Sequence, residues 1–169
     1  PTMQASAKKE LAKAVKVGNK QNLAGAVSMI EPGTGKVLAM AQATDFAKSQ
    51  TNLNVDQVYG GGPNGYQIGS AAKTFALVEA LERGMPLNAT ITIPASSPSK
   101  PAVFEPRSMV DECSTNEPWP VKNDFAQAGG PMSLREGTTK SVNPFFAALN
   151  VRLGACSVRD TMVKMGLHR

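Results

Sequence analysis

Ser70 and Lys73 stand three residues apart, between a Gly-rich stretch and an almost wholly apolar run. Residues i and i+3 share a helix face, so the Lys73 amine can reach the Ser70 hydroxyl. A serine hydroxyl becomes a good nucleophile when a base takes its proton, and a desolvated lysine can be that base. The helix N-terminus adds backbone N–H groups where an oxyanion would form. This stretch therefore predicts an acyl-transfer site.

The bare pattern Ser-x-x-Lys is weak, because it occurs three times in the chain. The copy at Ser97–Lys100 lies among prolines that prevent a helix, and the copy at Ser6–Lys9 lies on a helical segment whose lysines form a solvated stripe. We interpret both as coincidental. At Ser70 the four residues alone favour an N-cap serine followed by an exposed lysine. The apolar surroundings of Lys73 instead favour a lysine in a cleft.

Ser141–Asn143 forms a second candidate motif, Ser-x-Asn, between two helical stretches. Ser133 is a predicted N-cap with Glu136 as its capping-box partner, and Pro144 suits the first turn of the next helix. A competing copy, Ser114–Asn116, lies in an acidic, Pro-rich loop without an apolar scaffold. A turn held by serine and asparagine hydrogen bonds would explain Ser141–Asn143 equally well when it is taken alone.

Taken together, these motifs resemble those of the penicillin-recognising serine acyltransferases. The chain is similar to the transpeptidase domain of a high-molecular-weight, class A-like bifunctional penicillin-binding protein. Residues 69–75 resemble the first catalytic motif of that family, and Ser141–Asn143 resembles the second. Residues 26–40 look like its first hairpin, and residues 119–123 and 130–136 are similar to the segment between the two motifs. Motifs in this order and at these separations are specific.

A third motif, Lys-Thr/Ser-Gly on a strand beside the site, is expected in the family but does not occur in this sequence. We therefore interpret the chain as the N-terminal part of the domain and expect the C-terminal remainder to be a separate chain. A degenerate domain that only binds is the alternative.

The resemblance implies an α/β (α+β) fold: an antiparallel sheet flanked by helices plus an all-helical subdomain, as in β-lactamases and transpeptidases, incomplete in this chain. Four regions are expected. The first, residues 1–69, contains an opening helix (3–17), two strands (24–30 and 36–42) and a loop-rich end (43–69), and the second, residues 70–84, is the catalytic helix. The third, residues 86–131, is an irregular insert with at most one short strand, and the fourth, residues 133–169, is a helical subdomain with helices at 133–140, 144–154 and 157–166.

The composition excludes several classes of function. The chain has 169 residues, of which 41% are hydrophobic, and this excludes general disorder. Its net charge of +5 comes without a basic run interleaved with aromatic residues, so nucleic-acid binding is not expected. No window approaches the apolar length of a membrane span. We expect membrane association only through an anchor outside this chain, at the extracytoplasmic face of the bacterial cell membrane that the resemblance implies.

The resemblance also implies a D,D-transpeptidase acting on peptidoglycan stem peptides that end in D-Ala-D-Ala. Ser70 would attack the substrate, Lys73 would accept its proton, Ser141 would relay a proton to the leaving amine, and Asn143 would bind substrate and hold Lys73. β-Lactam antibiotics would acylate Ser70, and no metal or organic cofactor is implied. A serine β-lactamase and a non-catalytic β-lactam sensor remain as alternatives, although the long insert before Trp119 argues against the lactamase.

The two cysteines, Cys113 and Cys156, can pair if the chain works in an oxidising compartment. Cys113 is flanked by acidic and polar residues, which argues against a place deep in a core. A disulfide would close a loop of about 42 residues, which the chain-entropy model values at about 3–5 kcal/mol. Two buried, unpaired thiols are the alternative.

Overall fold

The computed structural model describes residues 2–105, 111–114 and 116–167. The chain forms two compact units, one that extends to Gln67 and one that starts at Ile68. No helix in the described part of the chain combines the length and apolar character needed to cross a membrane.

The first unit consists of one helix packed on a β-hairpin, followed by loops. Its elements are α1 (Thr2–Ala14), β1 (Ala26–Ile30) and β2 (Val37–Gln42). The two strands are antiparallel, with Ala26 opposite Gln42. Small and apolar side chains from α1 and from β2 and its end form the core: Ala7, Leu11, Ala39, Ala41 and Ala43. The predicted helix and hairpin are confirmed, and the helix ends at Ala14, three residues earlier than expected.

In the described residues of the second unit, four α-helices contribute to a core that centres on α4. The helices are α2 (Lys73–Glu82), α3 (Leu134–Thr139), α4 (Asn143–Leu153) and α5 (Ala155–Lys164). Phe145 and Leu149 of α4 have no exposed surface, and neither has Leu134 of α3. Burying a side chain of this size contributes about 1.5–3 kcal/mol to stability, so α4 is the best-anchored helix of the unit.

Two strand pairs complete the second unit. They are β3 (Thr90–Ile93) with β6 (Gly130–Ser133), and β4 (Ala102–Phe104) with β5 (Trp119–Val121), both antiparallel. The prediction of an irregular insert with at most one strand was therefore wrong. Prolines inside β5 and β6 concealed the pattern, because proline normally argues against a strand. Both pairs are two-stranded, so every strand is an edge strand and tolerates the missing N–H.

The observed class is mixed helix and antiparallel strand, which agrees with the coarse prediction. The single helix-flanked sheet does not occur in the described residues, which instead form three separate two-stranded sheets. The unit that starts at Ile68 is also not all-helical, since it contains β3 to β6.

The start of α3 follows the predicted cap only in part. Ser133 Oγ accepts a hydrogen bond from the backbone N–H of Glu136 at 3.1 Å, as an N-cap serine does. The Glu136 carboxylate accepts from the Lys140 amine at 2.8 Å. In the predicted capping box the Glu136 side chain would accept from the Ser133 backbone N–H, and in the structure it pairs with Lys140 instead.

A buried carboxylate joins α2 to α5. Glu79 is only 8% exposed, and its side chain accepts from the Thr161 hydroxyl at 2.6 Å and from Arg83 Nε at 2.7 Å. The hydrogen bond from Thr161, followed by the bond and charge of Arg83, holds the pKa of Glu79 below its usual range. Glu79 therefore stays ionised and fixes the helix that begins at Lys73 against α5.

Candidate active site

Ser70 lies in a 3₁₀ turn, Gly69–Ala72, and α2 begins only at Lys73. The predicted start of the α-helix at Ser70 was therefore wrong by three residues. The 3₁₀ geometry has three residues per turn, so residues i and i+3 are eclipsed and the two side chains point the same way. Lys73 Nζ lies 3.2 Å from Ser70 Oγ. Ser70 is exposed, so its hydroxyl is open to a substrate.

The turn between α3 and α4 carries Ser141 and Asn143, as the sequence predicts. Ser141 has a φ of 50°, a left-handed conformation that is strained for a residue with a side chain. Val142 beside it is completely buried and anchors the turn. Close packing of the two helices depends on Gly137, because a Cβ there would lie 2.3 Å from the Phe145 ring.

The Lys73 amine joins the two motifs, although 68 residues separate it from Ser141. Its Nζ lies 2.7 Å from the Ser141 carbonyl oxygen and 2.9 Å from Ser141 Oγ. It also donates to Asn143 Oδ1 in a short hydrogen bond. Ser70, Ser141 and Asn143 therefore each lie within hydrogen-bonding distance of the Lys73 amine.

These contacts constrain how the Lys73 proton can be used. The Ser141 carbonyl and Asn143 Oδ1 only accept hydrogen bonds, so they take two N–H groups of the amine. A neutral amine has two N–H groups and one lone pair, and that lone pair is then left for the hydroxyls of Ser70 and Ser141. Burial lowers the pKa of Lys73 from its ordinary value, which favours this neutral form. The arrangement suits a general base.

Two cavities open on Lys73. The larger has a volume of about 460 Å³ and is mostly apolar; its lining includes Trp119, Val121, Phe146, Ala147, Val158 and Met162. The smaller, about 200 Å³, lies at Ser70, Lys73 and Ser141. Neither cavity has a carboxylate among its described lining residues. The amine therefore stands between an apolar cavity and the two hydroxyls.

Three residues that contact this site were not singled out from the sequence. The Phe146 ring centroid lies 5.6 Å from Lys73 Nζ, close enough for a cation–π contact. The Lys122 carbonyl accepts from Asn143 Nδ2 at 2.6 Å, and Asn123 Oδ1 accepts from the Asn143 backbone N–H at 2.8 Å. For Lys122 and Asn123, the only indication in the sequence was that residues 119–123 resemble a segment found between the two motifs in the family.

Two of the three competing motif copies, Ser6–Lys9 and Ser97–Lys100, do not form comparable sites. Ser6–Lys9 lies on an exposed part of α1 in the other unit. In the Ser97–Lys100 copy the serine hydroxyl accepts from the backbone N–H of the lysine at 3.0 Å, within a turn. The Ser114–Asn116 copy contains Thr115, which lies outside the described residues.

Cys113 and Cys156 form a disulfide in the structure, with their Cα atoms 5.1 Å apart. Asp111 reinforces this link, since its Oδ2 accepts from the Cys156 backbone N–H at 2.8 Å and thereby caps α5. Gly154 permits the approach, because a Cβ there would lie 2.8 Å from Asp111 Oδ2 and its φ of 88° also favours glycine.

One group of potential metal ligands occurs in the described residues, namely Asp111, Cys113 and Cys156. The disulfide removes both thiolates from this group, so it gives no support for a metal site. His168, the sole histidine of the chain, lies outside the described residues.

We expect the unreduced, denatured protein to release no free thiol to a thiol reagent, because both cysteines are in the disulfide. A reduced sample is the control and should give two thiols per chain. Two thiols without reduction would exclude the bond. Reduction of the folded protein should lower its stability by about 3–5 kcal/mol, which urea unfolding can measure.

Comparisons with known proteins identify the family of the chain. Residues 25–169 match the family described as penicillin binding protein transpeptidase domain. Two curated relatives, both described as penicillin-binding protein 1A, are 28% (Rickettsia typhi) and 25% (Rickettsia felis) identical over 145 residues. These alignments cover 85% of this chain and 16% of each relative, so the chain spans only a small part of their length. No solved structure matches significantly. Because the family match extends over most of the sequence, the chain belongs to the penicillin-binding protein transpeptidase domain family.

Proposed function

We propose that this chain carries the nucleophile and base of a serine D,D-transpeptidase that cross-links peptidoglycan stem peptides ending in D-Ala-D-Ala. One observation carries the proposal: a partly buried amine, Lys73, lies within hydrogen-bonding distance of an exposed serine hydroxyl and of a second hydroxyl. This is the geometry of a nucleophile with its base and a proton relay. Membership of the transpeptidase family supports the same reaction.

Acylation proceeds by attack of Ser70 Oγ on the carbonyl carbon of the penultimate D-alanine. The Ser70 proton passes to the neutral Lys73 amine as the C–O bond forms. Lys73 then returns a proton through Ser141 Oγ to the nitrogen of the terminal D-alanine, and the C–N bond breaks. The products are an ester on Ser70 and free D-alanine, so atoms and charge balance. Asn143 binds the substrate amide and keeps Lys73 in place.

In the second half of the reaction, an amine of a neighbouring stem peptide attacks the ester. Its nitrogen gives a proton to the same base, and Ser70 leaves with a proton restored. A β-lactam imitates the first substrate: its ring amide opens on Ser70, but the leaving nitrogen stays attached, so the acylated serine persists.

The two alternatives, a β-lactamase and a β-lactam sensor, differ from a transpeptidase in what happens to this ester. Rapid hydrolysis requires a base that activates water, commonly a carboxylate. The lack of a carboxylate among the described residues that line the two cavities therefore favours a long-lived acyl-enzyme. This argument separates a lactamase from the other two functions but does not separate a transpeptidase from a sensor.

The proposal includes partners beyond this chain. The Lys-Thr/Ser-Gly motif does not occur in this sequence, so that motif and the second oxyanion donor beside the Ser70 backbone N–H would come from residues outside it. The working location is the extracytoplasmic face of the bacterial cell membrane. β-Lactams and stem peptides are the ligands, and nucleic acid is not.

We expect benzylpenicillin to leave a lasting adduct on the peptide that contains Ser70, since no carboxylate that could activate water lies among the described residues that line the two cavities. Mass spectrometry of the full-length protein over time would show this. Rapid loss of the adduct with release of penicilloic acid would identify a lactamase. A persistent adduct without peptide cross-linking activity would identify a sensor.

A further inference from the structure

Asn123 is a buried amide side chain that lies two residues after the last residue of strand β5. It is only 3% exposed. Its Oδ1 accepts the Asn143 backbone N–H at 2.8 Å, while its Nδ2 is buried and has no hydrogen-bond partner among the residues that the structure describes. An unpaired buried donor costs free energy, so a residue kept only for packing would be better apolar. The acceptor is the part of this side chain that the structure uses.

The backbone N–H that Asn123 accepts is the first one of α4. The N-cap residue, Val142, has an apolar side chain that cannot accept a hydrogen bond. Pro144, the residue after Asn143, has no backbone N–H. Asn123 therefore replaces the missing cap from 20 residues away. This bond fixes the main chain at the start of the helix.

The side chain of the same residue, Asn143, is held by a second contact from this segment. Its Nδ2 donates to the Lys122 carbonyl at 2.6 Å. A carbonyl can only accept, so the Asn143 amide must present Oδ1 on its other side, where Lys73 donates to it. Residues 122 and 123 thus fix both the position and the orientation of the amide that contacts the Lys73 amine.

We propose that Asn123 is a positioning residue for acyl transfer: its Oδ1 holds the main chain at Asn143, and through it the Asn143 amide on the Lys73 amine. The inference rests on the proposed function and deepens it. Asn123 does not touch the reacting atoms.

Two substitutions in the full-length protein separate positioning from packing. Asn123→Leu keeps a similar volume and removes the acceptor. Asn123→Asp keeps an acceptor oxygen in either protonation state and replaces the unpaired amide N–H₂ by a hydroxyl or an anionic oxygen. Ile93→Ala, in the core at β3, is the control for loss of stability away from the site.

The first measurement is the rate of acylation by fluorescent penicillin. We expect Asn123→Leu to slow it about 10–100-fold, since small displacements of catalytic groups have effects of this size. Labelling should still reach the same end point. Asn123→Asp should stay within a few-fold of wild type, and Ile93→Ala should acylate normally while folded. In an Asn143→Ala background, Asn123→Leu should add no further loss.

The second measurement is an NMR titration of Lys73, which does not depend on acylation. Loss of the Asn143 acceptor lowers the pKa of the Lys73 amine, so Asn123→Leu and Asn143→Ala should both move it downward. A normal rate and an unmoved pKa in Asn123→Leu would overturn the inference. If that variant does not fold, a slow Asn123→Asp would overturn it and a fast one would support it.

A result that refutes the proposed function can be distinguished from one that refutes the role of Asn123. A wild-type protein that penicillin never acylates would refute the transpeptidase proposal. The NMR titration would then still decide whether Asn123 positions the Asn143 amide on Lys73.

Discussion

Ser70→Ala is expected to abolish covalent labelling by penicillin, because the variant lacks the oxygen that forms the ester. The side chain is exposed and precedes α2, so the fold should remain intact. Gel fluorescence with a labelled penicillin measures the loss, and circular dichroism checks the fold.

Ser97→Ala is the matched control, since Ser97 also has a lysine three residues later but sits in a turn without a helix behind it. It should label like the wild type. Undiminished labelling of Ser70→Ala, or loss of labelling in the control, would refute Ser70 as the nucleophile.

Lys73→Met is expected to slow acylation about 10²–10⁴-fold, the usual contribution of a general base. Methionine is of comparable length and apolar, so packing against Phe146 should persist. The Ser141 carbonyl and Asn143 Oδ1 lose a donor, however, and this should destabilise the fold by about 1–3 kcal/mol. Stopped-flow labelling measures the rate, and Lys100→Met is the control.

The pH dependence of acylation gives an independent test of the same base. Burial lowers the pKa of Lys73, so its neutral form should be populated at pH values below those at which an ordinary lysine loses its proton. The acylation rate should therefore rise with pH and level off before about pH 10.4, the pKa of a free lysine side chain. Lys73→Met should lose this rise. A rise that persists in the variant would mean that another group titrates.

The candidate active-site residues Ser70 and Lys73 could be selected from the sequence because the relation between them is local. Ser70 and Lys73 are three residues apart, and an apolar run distinguishes them from the copies at Ser97 and Ser6. The turn at Ser141–Asn143 was also readable from its flanking helices. That the two motifs meet came from the family resemblance, since no local pattern shows a contact between residues 68 apart.

The contacts around these residues could not be predicted, because they are non-local and use residues without a strong pattern. Strand β5 contains Pro120 and strand β6 contains Pro131, and both were hidden in an apparently irregular insert. The oxygen of Asn123 and the carboxylate of Asp111 cap helices 20 and 45 residues away. A capping residue is sought next to its helix, so neither was visible.

These two distant caps have a consequence for how the second unit folds. Closing the first turn of a helix is the costly step in its formation, and a neighbouring cap makes that step local. Helices α4 and α5 lack such a cap, so completing their first turns requires chain closure over 20 and 45 residues. A peptide that contains α4 or α5 alone would fray at its N-terminus. We therefore expect the turn that carries Ser141 and Asn143 to gain its final shape only when the segment that contains strand β5 and Asn123 has docked.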